Sequence, residues 1–220
     1  MPEDSSLHVV ISGGEGDLAR ALRHEFSSDI VHAPGRKEMD VRDEARVDAY
    51  FSQLERVDVL VVNAGLTRDG ALASLSAGDF DEVVNANLRG AFLCARAAIK
   101  PMVKQRSGHI ILIGSRAAKT GTRGQSIYAA AKAGLVGFGQ SLAKEYGARN
   151  VRCNIVLPGF LETKMTAGLP DKRREEVRAE HVLDRFNTPA NAARAIAFLA
   201  RLDHVSGQVF TLDSRMDRWT

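Results

Sequence analysis

Short apolar runs alternate with helical patterns along this chain, and that alternation restricts its fold more than any other feature. The runs lie at 7–11, 29–31, 57–62, 109–113, Val151–Leu157 and 208–212. Most are continuous rather than alternating, which is typical of strands buried on both faces of a parallel sheet. Helical patterns separate them at 17–26, 43–54, Ala77–Val84, 88–104, 127–148 and 189–202. We therefore predict an α/β fold, a doubly wound parallel sheet with helices on both faces.

Composition excludes several other classes of protein. The 220 residues are 45% hydrophobic and 26% charged with a net charge of +3, so neither a disordered chain nor a nucleic-acid or membrane partner is predicted. No apolar run approaches the roughly 20 residues that a membrane span needs, and residues 1–6 lack the features of a signal peptide. Cys94 and Cys153 are isolated, which predicts reduced thiols and no metal site. We expect a cytoplasmic protein.

A glycine-rich turn follows the first apolar run. Gly13, Gly16 and Ala19 form a GxxGxxA pattern between a predicted strand and a predicted helix. In that context glycines let the backbone approach a pyrophosphate at the helix N-terminus. A tight turn without a ligand remains an alternative, and the sequence does not explain why Glu15 and Asp17 add negative charge beside the predicted phosphate site.

The second apolar run leads into Arg36 and Lys37 rather than into an acidic residue that would bind ribose hydroxyls. Either basic side chain is suited to a 2′-phosphate, which favours NADP(H) over NAD(H). The alternative is that both are solvated loop charges.

Tyr128 and Lys132 lie four residues apart in a strongly helical stretch, 13 residues after Ser115 closes a predicted strand. Residues at i and i+4 share one helix face, so we expect the ammonium to lie beside the phenol. A nearby cation stabilises phenolate and lowers its pKa. Lys132 is therefore expected to make Tyr128 a usable proton donor or acceptor.

These features together resemble the short-chain dehydrogenase/reductase family, over nearly the whole chain. The resemblance rests on the turn at Gly13, the strand end Asn63-Ala64-Gly65, Asn87, Ser115, Tyr128 with Lys132, and Pro158-Gly159 followed by Thr163. It implies a single NADP-binding Rossmann domain over 1–220 and an NADP-dependent oxidoreductase. It also implies a catalytic tetrad of Asn87, Ser115, Tyr128 and Lys132. The implied cofactor-binding residues are Gly13, Gly16, Arg36, Asp40, Val41, Asn63, Ala64, Gly65, Tyr128, Lys132, Pro158, Gly159 and Thr163.

Within the family the chain is most similar to 3-oxoacyl-[acyl-carrier-protein] reductases, through 63–69, 128–141 and 158–166. The similarity implies NADPH-dependent reduction of a 3-oxoacyl thioester on an acyl carrier protein, in fatty acid or polyketide/polyene-type biosynthesis. Arg106 and Arg149 match arginines that dock the acidic carrier. A homo-oligomer, either dimer or tetramer, or a hetero-oligomer is also implied. A mobile substrate lid is expected at about 163–187.

The chain departs from the family pattern in three places. Its glycine turn reads as one residue shorter than TGxxxGxG, the connection between the second and third strands looks too short for a full helix, and the tail lacks an Asp-Gly-Gly. Two alternatives therefore stay open. One is a reductase or dehydrogenase of a free small ketone or alcohol, and the other is a non-catalytic NADP-binding regulatory subunit.

Overall fold

The computed structural model describes residues 6–216 and contains a single six-stranded parallel sheet in that range. The termini of the predicted 1–220 domain, residues 1–5 and 217–220, lie outside the described residues. The strand order is β2-β1-β3-β4-β5-β6, and every pair is parallel. The strands are β1 His8–Ile11, β2 Ile30–His32, β3 Val59–Val62, β4 Gly108–Ile113, β5 Val151–Leu157 and β6 Val209–Thr211. All six predicted runs are strands, and the predicted doubly wound sheet is confirmed.

Helices cover both faces of the sheet. They are α1 Asp17–Glu25, α2 Glu44–Ser52, α3 Ala77–Val84, α4 Gly90–Gln105, α5 Ala117–Thr120, α6 Ser126–Tyr146, α7 Asp171–Ala179 and α8 Pro189–Ala200. On one face α1 packs against α8 over a buried cluster that includes Leu22 and Ile196. On the other face α2, α4 and α6 cover a larger cluster that includes Leu93 and Leu135. No helix within 6–216 is long and apolar enough to cross a membrane.

The helical pattern at 43–54 is present as α2, and residues 6–216 also contain α5 and α7, which the sequence did not predict. The connection between β2 and β3 is not too short for a helix, because the nine residues of α2 fit there and the Asp43 carboxylate caps them by accepting from Arg46 N at 3.2 Å. The nine-residue α7 was not predicted. Its side chains are charged almost all round and only Val177 is buried, so it lacks the apolar stripe by which amphipathic helices are recognised.

The junction of β1 with β3 is the point where the chain reverses its direction of travel across the sheet. Ser12 Oγ accepts hydrogen bonds from the backbone N–H groups of Asn63 at 3.0 Å and of Ala64 at 3.1 Å. Gly13 follows with φ +68°, and a Cβ there would lie 2.9 Å from Ala64 Cα. In doubly wound sheets ligands bind outside the carboxyl ends of the strands at such a reversal. The sequence after β1 and β3 therefore forms one wall of the expected cleft.

Gly14 is the tightest position in this wall. A Cβ on Gly14 would lie 2.0 Å from Ala33 O, whereas one on Gly147 would meet nothing within 4 Å. Gly147 has φ −56° and ψ −39°, which any residue adopts. We expect Gly14→Ala to lower the free energy of unfolding by about 2 kcal/mol or more, and Gly147→Ala to raise it by about 0.5 kcal/mol. Urea unfolding of both variants measures the difference, and equal stabilities would contradict the packing described.

Candidate active site

A cleft of about 960 Å³ opens at the carboxyl ends of the strands. Ser115 and every predicted cofactor-binding residue line it. Those residues are Gly13, Gly16, Arg36, Asp40, Val41, Asn63, Ala64, Gly65, Tyr128, Lys132, Pro158, Gly159 and Thr163. The structure thus brings residues from across 151 positions of sequence to one surface.

Two hydroxyl groups meet in the cleft. Ser115 follows β4, and its Oγ accepts from Ala117 N at 3.2 Å. Tyr128 lies in the first turn of α6, where its phenol is hydrogen-bonded to the Ser115 side chain. Both hydroxyls can therefore approach a single oxygen atom of a ligand.

Lys132 lies one helical turn beyond Tyr128 and is only 4% exposed. Its Nζ donates to Ile113 O at 2.8 Å and lies 5.7 Å from the centroid of the Tyr128 ring. Burial lowers the pKa of Lys132 to about 8, so the ammonium form still predominates at neutral pH. The predicted pairing of phenol and ammonium on one helix face is present.

The structure does not show the expected lowering of the pKa of the Tyr128 phenol. Burial raises the pKa of Tyr128, the hydrogen bond from Ser115 lowers it in part, and the charge of Asp69 raises it further. The ammonium of Lys132 donates to a backbone carbonyl instead of to the phenol. The phenol consequently stays protonated at neutral pH, which suits a proton donor better than a proton acceptor.

Asn87 sits where the helix around it widens. Residues Asn85–Arg89 form a π turn between α3 and α4, so the helix widens here without breaking. Asn87 Nδ2 donates to Val83 O at 2.9 Å, four residues back, and to Leu66 O at 2.7 Å. Such a bond competes with the regular helix ladder, and π turns of this kind occur often at functional sites.

These bonds leave Asn87 Oδ1 buried, with no hydrogen-bond donor among the described residues. A Cβ on Gly65 would lie 2.5 Å from this oxygen and 3.5 Å from Lys132 Nζ. Gly65 therefore keeps open the space between the Asn87 amide and the Lys132 ammonium. A buried acceptor facing a cation across a small polar space is suited to a bridging water.

The glycine end of the cleft fits an anionic group. No side chain caps α1, although side chains cap α2, α3 and α8. The first N–H groups of α1 therefore remain open toward the cleft, which is how helix N-termini bind pyrophosphate.

Elsewhere in the cleft, two arginines, Arg36 and Arg42, donate hydrogen bonds to one carboxylate, that of Asp40. Asp40 accepts from Arg42 at 2.7 and 3.0 Å and from Arg36 Nε at 3.3 Å. The hydrogen bond from Arg42 holds the pKa of Asp40 well below its usual range. Arg36 and Arg42 both line the cleft, whereas Lys37 does not. Sequence reasoning missed Arg42, whose spacing from Asp40 carries no distinctive signal.

Arg106 and Arg149 lie at the amino ends of the strands, opposite the cleft. Arg106 ends α4 in a left-handed conformation, and its side chain donates to Ala148 O at 3.4 Å, beside Arg149. Both are exposed, and neither has an acidic partner within 6–216. They precede β4 and β5, whereas Ser115 follows β4, and a six-residue strand spans roughly 20 Å. The structure brings the two arginines together but not to the cleft.

Comparisons with known proteins identify the family of this chain. A family model described as enoyl-(acyl carrier protein) reductase matches residues 6–214. The 3-oxoacyl-[acyl-carrier-protein] reductase FabG of Aquifex aeolicus is 36% identical over 94% of this chain and 86% of its own length. The FabG of Chlamydia trachomatis is 40% identical, over 97% and 88% respectively. The chain belongs to the short-chain dehydrogenase/reductase family.

A solved structure shares the fold of this short-chain dehydrogenase/reductase. The structure titled "ElxO with NADP Bound" superposes with a TM-score of 0.85 at 23% identity, covering 96% of this chain and 98% of the other. The two chains therefore share nearly their whole architecture despite low sequence identity.

The glycine turn of this short-chain dehydrogenase/reductase is not shortened. Residues 12–19 have the length of TGxxxGxG, with Asp17 and Ala19 in place of its second and third glycines. The structure agrees, because α1 begins at Asp17. The chemical departure is therefore a carboxylate at the start of the helix.

Neither cysteine of this short-chain dehydrogenase/reductase belongs to the cleft. Cys94 and Cys153 are buried and unpaired, and burial raises the pKa of each thiol to about 12. Within residues 6–216 no three His, Cys, Asp or Glu side chains are grouped to hold a metal ion. Both thiols are packing residues.

The buried ammonium of Lys132 should make stability depend on pH. Its pKa is 10.5 in the unfolded chain and about 8 in the folded one. Between these values the unfolded chain holds a proton that the folded chain has lost, so the wild type gains stability as the pH rises. We expect Lys132→Met to be more stable than the wild type by up to about 3 kcal/mol at pH 7.5, with the difference vanishing near pH 10.5.

Urea unfolding of both proteins between pH 7.5 and 10.5 measures this difference. Other titrating groups are common to the two proteins and cancel. A constant difference across that range would contradict the buried, charged state of Lys132.

Proposed function

We propose that this protein reduces a 3-oxoacyl thioester on an acyl carrier protein to the 3-hydroxyacyl thioester with NADPH, in fatty acid or polyketide/polyene-type biosynthesis. The observation that carries the proposal is the Ser115–Tyr128 hydroxyl pair above the buried Lys132, in a cleft with room for a dinucleotide. The FabG relatives, which the chain matches over most of their length, support the substrate class.

The residues of the cleft supply the proton side of the reaction. Tyr128 donates its phenolic proton to the ketone oxygen, and Ser115 donates a hydrogen bond to the same oxygen as negative charge develops there. The Lys132 ammonium, 5.7 Å from the phenol ring, stabilises the phenolate that remains. Asn87 Oδ1 faces Lys132 across the space beside Gly65 and is placed to hold a water that returns a proton. NADPH supplies the hydride to the ketone carbon when it is bound.

Two observations favour NADPH over NADH. Arg36 and Arg42 line the cleft around one carboxylate, so two guanidinium groups are available to a 2′-phosphate. Asp40 accepts hydrogen bonds from both arginines on its two oxygens, and together with Val41 it would line the adenine side of the cleft. Gly13 and Gly16 would hold the pyrophosphate, with Asn63, Ala64 and Gly65 along the adenosine side. Pro158, Gly159 and Thr163 would hold the nicotinamide.

Residues 163–187 would form the lid of this single domain. The segment contains α7, and a parallel bridge between Leu161 and Asn187 closes its base. Thr163, Leu169 and Val177 from this segment line the cleft. Such a segment closes over a substrate and excludes water from the reaction.

Four arginines that line the cleft would suit an anionic carrier arm. They are Arg116, Arg123, Arg173 and Arg215, of which Arg173 also pairs with Glu176 and Arg215 with Asp213. The phosphate of a phosphopantetheine arm would be attracted there.

Arg106 and Arg149 would contact the acidic carrier protein itself. They lie at the edge opposite Tyr128, so a carrier bound to them is far from the cleft of the same chain. In the proposed homo-oligomer the arm would enter the cleft of a second copy.

The decisive experiment is NADPH oxidation with acetoacetyl carrier protein. We expect turnover by the wild type and a loss of at least about a thousandfold in kcat for Tyr128→Phe, because the proton donor is gone. NADPH fluorescence should show that Tyr128→Phe still binds the cofactor. NADH in parallel tests the role assigned to Arg36 and Arg42.

Three results would contradict the proposal. Full turnover by Tyr128→Phe would remove the mechanism. Faster reduction of crotonyl carrier protein would point to the enoyl chemistry named in the family model. NADPH binding without turnover on 3-oxoacyl thioesters and small ketones would indicate a regulatory subunit.

Charge reversal separates carrier docking from binding of the arm. We expect Arg106→Glu and Arg149→Glu each to raise KM for acetoacetyl carrier protein by about tenfold, because an attractive contact becomes repulsive. KM for acetoacetyl-CoA, which lacks the protein, should change less than about twofold. Steady-state kinetics measure both, and equal effects on the two substrates would rule out these arginines as the docking site.

A further inference from the structure

The pyrophosphate end of the cleft already holds an anion that belongs to the chain. Asp17 is the first residue of α1 and lines the cleft beside Gly13 and Gly16. Its side chain is 22% exposed, so the carboxylate is partly withdrawn from water. A carboxylate at this place faces the same helix N-terminus that would attract a phosphate.

The carboxylate is held by the kinds of group that bind phosphate. Asp17 Oδ2 accepts from the backbone N–H of Lys164 at 2.8 Å. Its other oxygen pairs with the Arg20 guanidinium, which also donates to Glu15 O at 2.7 Å. The carboxylate therefore has both a backbone N–H and a guanidinium as partners, as a phosphate oxygen at this place would.

The hydrogen bond to Lys164 also connects distant parts of the chain. Residues 17 and 164 are 147 positions apart, and Lys164 lies near the start of the proposed lid. Within residues 6–216, this is the one hydrogen bond between α1 and the segment 163–187. Asp17 thus fastens the lid to the start of α1.

A dinucleotide would compete with this arrangement in two ways. Its pyrophosphate carries negative charge that the Asp17 carboxylate repels across a partly desolvated cleft. The Lys164 N–H cannot donate fully to the carboxylate and to a phosphate oxygen at the same time.

We propose that Asp17 determines how this chain binds its cofactor: in the free protein the carboxylate takes the place of a phosphate oxygen and holds the lid at Lys164, and the dinucleotide must displace it. The proposal rests on the proposed function, since it assumes a dinucleotide in the cleft. Asp17 lowers cofactor affinity and couples cofactor entry to release of the lid.

Two substitutions separate charge from tethering. Asp17→Asn removes the charge but keeps an oxygen that accepts from Lys164 N, whereas Asp17→Ala removes both. The matched control is Asp43→Asn, because Asp43 also lies at a helix start and pairs with the arginine three residues later, at 3.6 Å, but does not line the cleft.

Binding of NADP+ and NADPH, measured by calorimetry and by NADPH fluorescence, should show tighter association in both Asp17 variants. We expect Kd to fall by about tenfold in each and by less than about twofold in Asp43→Asn. Hydrogen exchange of the free proteins provides a readout without cofactor. Amides around Lys164 should exchange faster in Asp17→Ala than in the wild type and in Asp17→Asn.

The outcomes distinguish this inference from the function on which it rests. If the wild type binds the dinucleotide and the Asp17 variants bind it equally or more weakly, the inference alone is wrong. Unchanged exchange around Lys164 in Asp17→Ala would equally overturn the lid connection. If neither the wild type nor any variant binds a dinucleotide, the proposed function fails and the inference with it.

Discussion

The contact between the ends of β1 and β3 determines where this molecule can bind anything. Ser12 Oγ accepts hydrogen bonds from two backbone N–H groups in the turn after β3. Gly13 lies so close to Ala64 that a Cβ on Gly13 would not fit. This contact fixes the glycine turn and the Asn63-Ala64-Gly65 segment as one continuous wall. The cleft, the open start of α1 and the approach to Lys132 beside Gly65 all follow from that wall. A looser junction would separate the glycine turn from Ser115, Tyr128 and Lys132.

Burial is the largest cause of the pKa shifts of Tyr128 and Lys132. It raises the pKa of Tyr128 and lowers that of Lys132, so the phenol keeps its proton while the amine is close to losing one. Coulomb attraction between the phenolate and the ammonium was expected to shift the pKa of Tyr128, yet desolvation is the largest cause of the shift in each group. The same low-polarity surroundings strengthen the electrostatic interactions of Asn87 Oδ1 and of Ser115 with their neighbours, because water is excluded.

Much of the fold could be predicted because the four central strands are almost wholly buried. Val151–Leu157 was predicted at its exact limits, between the turn residue Asn150 and Pro158, although Arg152 and Asn154 interrupt its apolar residues. The pairing of Tyr128 with Lys132 could be predicted because helical spacing brings them to one face, whereas the roles of Asn87 and Ser115 were implied only by the family resemblance. Charged surface helices gave no such signal, and α7 was missed for that reason. Contacts between distant segments, such as Asp17 with Lys164 or Arg42 with Asp40 at the cleft, depend on the assembled fold, as does the burial that sets each pKa.

β4 lies between Arg106 at its amino end and Ser115 at its carboxyl end. Ser115 follows its carboxyl end, whereas Arg106 lies before its amino end, so one rigid strand keeps the arginine pair and the reacting hydroxyls apart. If the carrier docks at that pair, a lone subunit holds its cargo out of reach of its own chemistry. Turnover on carrier-bound cargo would then decline on dilution, as subunits dissociate, well before the folded chain itself is affected.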